Sequence, residues 1–147
     1  MDYVKYIRGM VGTNKSILNC AGTLVIKDHK LLIQRRADNG EWGLVGGLLE
    51  MGETYEEAAV RETFEETGLK VHLDEFLGIY YHRDMEWPSG DKAFVIGAYY
   101  IASVVSGELK VDEESLELKF VDLDELPYFF AEDHRDAVRS YWKKVKA

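Results

Sequence analysis

Apolar residues are distributed along the chain in short branched runs separated by polar or glycine-rich breaks. Residues 17–26 (ILNCAGTLVI) and 31–35 (LLIQR) flank Asp28-His29-Lys30, a pattern that predicts a β-hairpin. Residues 37–53, punctuated by Gly40, Gly43, Gly46, Gly47 and Gly52, read as loop with little regular structure. Residues 55–67 read as a helix with both ends marked: Thr54 and Glu57 fit a capping box, and Gly68 fits a left-handed C-terminal cap. Strands are predicted at 70–73, 76–82, 94–105 and 116–122, the third (FVIGAYYIASVV) apolar enough for a buried central strand. From about Glu132 to Lys146 the spacing predicts an amphipathic helix with Ala137, Val138, Tyr141 and Trp142 inward. Strands interspersed with two helices predict an α/β or α+β layered domain, with 1–147 read as a single domain.

Composition narrows the class. The chain has 147 residues, 46% hydrophobic and 31% charged, as a globular protein with its own core does. Cys20 is the lone cysteine, which excludes an internal disulfide and a cysteine-based zinc site. The opening, Met1 to Gly12, carries Asp2, Lys5 and Arg8 and lacks the apolar run of a signal peptide, so a cytoplasmic protein is expected. No stretch has the length of a membrane span, and no membrane partner is expected. The net charge of −9, with no basic run, disfavours duplex nucleic acid as a partner. Any anionic ligand then requires local arginines or a metal ion. The segment Tyr3–Gly12 is too apolar for a plain tail and is expected to pack on the core or on a second subunit, with a homodimer favoured.

The 55–67 helix concentrates the candidate chemistry. Glu62, Glu65 and Glu66 fall within a wedge of about 100° on its surface, with Val60 and Phe64 nearly opposite and free to face the core. Three converging carboxylates repel one another unless a cation compensates, and oxygen-only ligands suit Mg²⁺ or Mn²⁺. A solvated glutamate-rich face has the same composition, so the helix alone leaves both readings open.

Gly47 to Leu69 resembles the Nudix box: Gly, five residues, Glu, seven residues, Arg-Glu, an aliphatic, any residue, Glu-Glu, any residue, Gly, an aliphatic. Gly47, Glu53, Arg61, Glu62, Glu65, Glu66 and Gly68 supply every fixed letter. Thr63 stands where an aliphatic is usual and Val45 where a proline often precedes the Gly46-Gly47 pair. Threonine has nearly the volume of valine, so the packing is expected to survive.

The resemblance implies an α/β/α sandwich with a mixed, curved β-sheet between helices. It also implies Mg²⁺-dependent pyrophosphohydrolase activity (Mn²⁺ as substitute) on a nucleoside diphosphate linked to another moiety. By the same resemblance Glu62, Glu65 and Glu66 are metal ligands and catalytic residues, aided by the Gly46 carbonyl. Glu53 and Arg61 hold the loop against the helix, and Arg36 contacts phosphate in preference to Arg35, which points to the other face of its strand. Glu114, in the acidic stretch Asp112-Glu113-Glu114, is the candidate for a further carboxylate serving as ligand or general base. Trp87 is the candidate for stacking on substrate, while His29, His72, His82 and His134 show no metal spacing and read as structural. Secondary signatures of the NADH, ADP-ribose, diadenosine-polyphosphate and coenzyme A subfamilies are missing. Nucleoside triphosphates or related nucleotide derivatives are therefore the leading substrates, with ADP-ribose or a nucleotide sugar as alternative. A non-catalytic nucleotide-binding sensor is the competing reading from a different class.

Overall fold

The computed structural model describes residues 2–146. Helix α1 is Tyr3–Val11, followed by strands β1 (Ser16–Lys27), β2 (Lys30–Arg36), β3 (Trp42–Gly43) and β4 (Val45–Leu48). Helix α2 (Tyr55–Thr67), strands β5 (Leu69–Glu86), β6 (Lys92–Gly107) and β7 (Ser115–Asp122) and helix α3 (Glu132–Lys146) complete the order.

β1 organises the sheet. It runs parallel to β6 from Ser16 to Val25, antiparallel to β4 at Cys20–Thr23, and meets β2 only at Ile26 and Lys27. The turn into β2 takes Asp28 and His29 to φ 53° and 65°. Paired left-handed residues match the twist of a two-residue hairpin, and Asp and His tolerate that region better than most residues. β2 then leaves β1 and pairs along its length with β7. β5 closes the other side of the mixed, curved sheet against β6.

The two faces follow the strand period. Ala21, Thr23 and Val25 of β1 face α2, where Ala58 and Ala59 are fully buried. Leu24, together with Leu31, Ile33, Leu44 and Tyr99, packs beneath Ala137, Val138 and Tyr141 of α3. The α/β/α sandwich with helices on both faces is thus present.

Several local expectations need correction. The 37–53 segment contains β3 and β4, because Gly46 and Gly47 let the backbone lie directly against β1: a Cβ at Gly46 would stand 2.5 Å from the Ala21 carbonyl oxygen. The strands expected at 70–73 and 76–82 are one strand, β5, with register shifts that absorb its irregular polar positions. Phe64 is 55% exposed, and α2 instead buries Ala58, Ala59, Thr63, Glu66 and Thr67. Trp142, at 42% exposure, is not among the residues that α3 buries. The apolar opening, by contrast, packs on the core as one of its two expected placements: Tyr3–Val11 forms α1, whose Tyr3 and Ile7 lie against a cluster around Leu18 and Met85. Among the described residues no helix is long and apolar enough to cross a membrane.

Candidate active site

Local sequence chemistry fixes α2. Thr54 Oγ1 accepts from the Glu57 N–H at 3.1 Å while Glu57 Oε1 accepts from the Thr54 N–H at 3.0 Å, closing the capping box. Gly68 ends the helix at φ 78°, its N–H donating to the Phe64 carbonyl at 2.8 Å. Thr63 is fully buried, and its hydroxyl lies 2.7 Å from that of Thr23 and 2.7 Å from the Ala59 carbonyl. The unusual threonine therefore keeps the packing and adds a hydrogen bond to β1.

The loop between β4 and α2 is tied to the helix by Arg61. Its Nε donates to Glu53 Oε2 at 2.5 Å and its Nη2 donates to Glu53 Oε1 at 2.8 Å and to the Leu48 carbonyl at 3.1 Å. Nη1 donates to Glu62 at 2.9 Å and to Glu65 at 3.1 Å. Glu53 in turn accepts from the Glu50 N–H at 2.7 Å. The Arg61 hydrogen bonds hold the Glu53 carboxyl below the usual carboxylate range.

Glu62 and Glu66 turn inward. Glu66 is 4% exposed and accepts from the Gly46 N–H at 3.0 Å, and Glu62 lies so close to β4 that a Cβ at Gly47 would stand 2.5 Å from its carboxyl carbon. Burial pushes the Glu62 carboxyl up to about 7 despite Arg61, and raises Glu66 well above the usual range, with Glu62 adding to the rise. Burial therefore makes ionisation of both carboxyls costly, with Arg61 offsetting only part of the cost at Glu62.

Both face a cavity of about 440 Å³ whose lining also includes Arg36, Glu114, Trp87 and the Gly46-Gly47 pair. The sequence candidates from five separate segments thus share one space. Arg36 donates to Asp38 through Nε and Nη2 at 2.9 and 2.8 Å. Burial raises the Glu114 carboxyl, and Asp112 adds to it. Glu65 is brought less far: its side chain is 56% exposed and points to Arg61.

The inner end of the cavity was not anticipated. Leu18, Cys20, Leu44, Val95, Tyr99 and Phe130 make it apolar, and Asp133 with His82 and His134 makes it polar at one point. Tyr99 donates to Asp133 Oδ2 at 2.5 Å, and the Leu44 N–H donates to His134 Nδ1 at 3.2 Å. Burial holds His134 below its ordinary value, with Asp133 opposing. One sequence signal was available: Asp133 shares the stripe of Ala137 and Tyr141, so a carboxylate sits on the inward face of α3. Arg8 and Val4 of α1 also line the cavity, and no local pattern announced them.

The donor set suits a hard divalent cation. Its groups are carboxylate and backbone oxygens, and the raised carboxyls of Glu62 and Glu66 are what a bound cation would bring down. As the side chains are placed, no three His, Cys, Asp or Glu among the described residues already form a ligand cluster. Arg61 occupies oxygens of Glu62 and Glu65, the latter with its side chain 56% exposed.

The Nudix domain family model matches residues 18–141. The chain belongs to the Nudix family. This Nudix protein is 41% identical over 125 residues to the ADP-ribose pyrophosphatase of Methanocaldococcus jannaschii, covering 82% of this chain and 71% of the relative. It is 29% identical over 116 residues to a putative 8-oxo-dGTP diphosphatase of Bacillus subtilis, covering 78% and 72%. Its fold matches the crystal structure of a MutT Nudix hydrolase from Burkholderia pseudomallei with a TM-score of 0.74 at 27% identity, covering 84% and 97% of the two chains. It is a Nudix pyrophosphohydrolase.

Proposed function

We propose that this protein hydrolyses the phosphoanhydride of a nucleoside diphosphate linked to a second moiety, with Mg²⁺ as the ion (Mn²⁺ as substitute) and ADP-ribose as the foremost substrate. The observation that carries this reading is the meeting, in one cavity, of the buried carboxyls of Glu62 and Glu66 with Arg36 and an apolar, aromatic-lined inner half. ADP-ribose takes precedence over the nucleoside triphosphates favoured by sequence because the relative of that name is 41% identical over most of this chain.

A divalent ion, when bound, neutralises charge developing on the phosphoryl oxygens. Glu62, Glu65 and Glu66 hold it, with the Gly46 carbonyl. Arg61, gripping Glu53, orients two of those carboxylates. Arg36 donates to the phosphate after exchanging its bond to Asp38. Glu114 accepts the proton of the attacking water. Its support is that it lines the same cavity and that burial raises its carboxyl toward the range of a useful base. Trp87 and the inner aromatic residues contact the nucleoside. Water attacks one phosphorus, the bond from that phosphorus to the bridging oxygen breaks, and ADP-ribose yields AMP and ribose 5-phosphate.

A substrate panel tests this reading. Purified protein with Mg²⁺ is incubated with ADP-ribose, nucleotide sugars, nucleoside triphosphates, dinucleoside polyphosphates and NADH, and products are resolved by chromatography. Turnover of ADP-ribose that is lost in Glu65→Gln supports the assignment. Turnover of triphosphates alone moves the substrate to that class, and silence with retained nucleotide binding makes the domain a sensor.

A further inference from the structure

Helix α1 lies outside the 18–141 segment that carries the family likeness, and none of its residues is fully buried. It nevertheless contributes Val4 and Arg8 to the lining of the cavity. At its start the Tyr3 N–H donates to Glu50 Oε2 at 2.9 Å, in the loop that joins β4 to α2. Near its end Arg8 Nη2 donates to the Lys92 carbonyl at 3.1 Å, at the tip of the β5–β6 hairpin. The Arg8 guanidinium carbon sits 5.7 Å from the centre of the Trp87 ring, within reach of a cation–π contact.

Charge makes this placement informative. Asp38, Glu62, Glu66, Asp91, Glu114 and Asp133 line the cavity, against only two arginines among the described residues, Arg8 and Arg36. Arg36 is held by Asp38 through two short hydrogen bonds. Arg8 is engaged more weakly. Its hydrogen bonds go to carbonyl oxygens of Gly12 and Asn14 at 3.3 Å each and of Lys92 at 3.1 Å. The Asp91 carboxylate stands 3.7 Å from its Nε, beyond hydrogen-bond reach. A guanidinium whose side chain is only 13% exposed, braced on an indole, hydrogen-bonded to carbonyls and paired with a carboxylate only at 3.7 Å, has capacity for a closer anionic acceptor.

We propose that Arg8 is a specificity-determining residue that donates to a phosphate of the nucleotide substrate, so that α1 selects ligands whose phosphate charge reaches the mouth of the cavity. This rests on the nucleotide-hydrolase reading of the site. The bond exchanges carbonyl partners and the long Asp91 pair for charged phosphate oxygens, from a helix that lies before the matched residues 18–141. Contact with the Trp87 ring limits the side-chain freedom that Arg8 loses on binding.

The test is calorimetric binding of ADP-ribose, AMP and adenosine in the presence of Mg²⁺, in a Glu65→Gln background that suppresses turnover. Arg8→Ala is expected to weaken ADP-ribose about tenfold and AMP less, leaving adenosine within twofold. Arg8→Lys should recover part of the loss, and it also serves if Arg8→Ala folds poorly. Equal weakening of all three ligands would overturn the proposal, since Arg8 would then act only through packing on Trp87. So would unchanged binding of all three. Arg8-dependent binding of phosphate ligands without any turnover by the unsubstituted protein would uphold this inference while refuting the hydrolase reading. Turnover of ADP-ribose with Arg8→Ala kinetics unchanged would do the reverse.

Discussion

Arg61 grips Glu53 with two hydrogen bonds, 2.5 Å from Nε and 2.8 Å from Nη2, across the turn that leads from β4 into α2. The same guanidinium reaches Glu62 and Glu65, so one residue couples the loop to the carboxylates. Arg61→Ala should cost about 1–3 kcal/mol of stability, because Glu53 loses its charged partner at low exposure. Arg61→Lys cannot reproduce the paired geometry and should lower turnover more than it lowers stability. Urea unfolding and steady-state kinetics on the two variants check both statements.

A single methyl group at Gly47 should act on the chemistry rather than on the fold. A Cβ there meets the Glu62 carboxyl carbon at 2.5 Å, and the obstacle is the end of a flexible side chain. Gly47→Ala is expected to displace Glu62 and cut turnover at least about tenfold, with a melting temperature within a few degrees of the parent protein. A melting temperature lowered in proportion to lost activity would show that Gly47 is structural instead.

The buried hydroxyl pair of Thr23 and Thr63, 2.7 Å apart, makes a separable contribution. Thr63→Val preserves shape but strands the Thr23 hydroxyl, at a cost of about 1–2 kcal/mol. The double variant Thr23→Val/Thr63→Val removes both polar groups and should recover much of that loss. Additive losses in the cycle would contradict the pairing.

Much of this arrangement was legible in the sequence, for identifiable reasons. The capping residues Thr54, Glu57 and Gly68 mark α2 chemically at both ends, and the branched runs of β1 and β6 leave few alternatives to a buried strand. β4 was hidden because two glycines disfavour a strand locally, and only the long-range pairing with β1 creates it. Phe64 misled for a related reason. The carboxylate side of α2 faces the cavity, so Glu66 is buried and the aromatic residue opposite it is left outside. Amphipathicity finds a core face only where the interior is apolar. Asp133 and Arg8 reach the cavity from elements distant in sequence, and such convergence has no local pattern.

The raised carboxyls of Glu62 and Glu66 set the pH response to metal. Without a cation, each binds its proton more tightly in the folded state than in the unfolded one, so stability falls as pH rises from about 4.5 toward the folded-state value, about 7 for Glu62. For Glu62 the loss is on the order of 3 kcal/mol once both states are ionised. His134 works in the opposite sense below about 6.5, since its lowered value favours the folded state as pH rises. Comparing melts in EDTA and in Mg²⁺ at each pH cancels the His134 contribution. The stabilisation by Mg²⁺ should therefore be small at pH 5 and grow to pH 8, whereas a shift independent of pH would place the ion elsewhere.

The most direct measurement is product analysis of ADP-ribose incubated with Mg²⁺ and the unsubstituted protein, with Glu66→Gln alongside at matched folding. The mechanism requires equal amounts of AMP and ribose 5-phosphate from the unsubstituted protein, and formation at least a hundredfold slower from the variant. Equal product formation by both proteins would contradict a reaction centred on the Glu62–Glu66 wall, as would tight ADP-ribose binding with no cleavage by either.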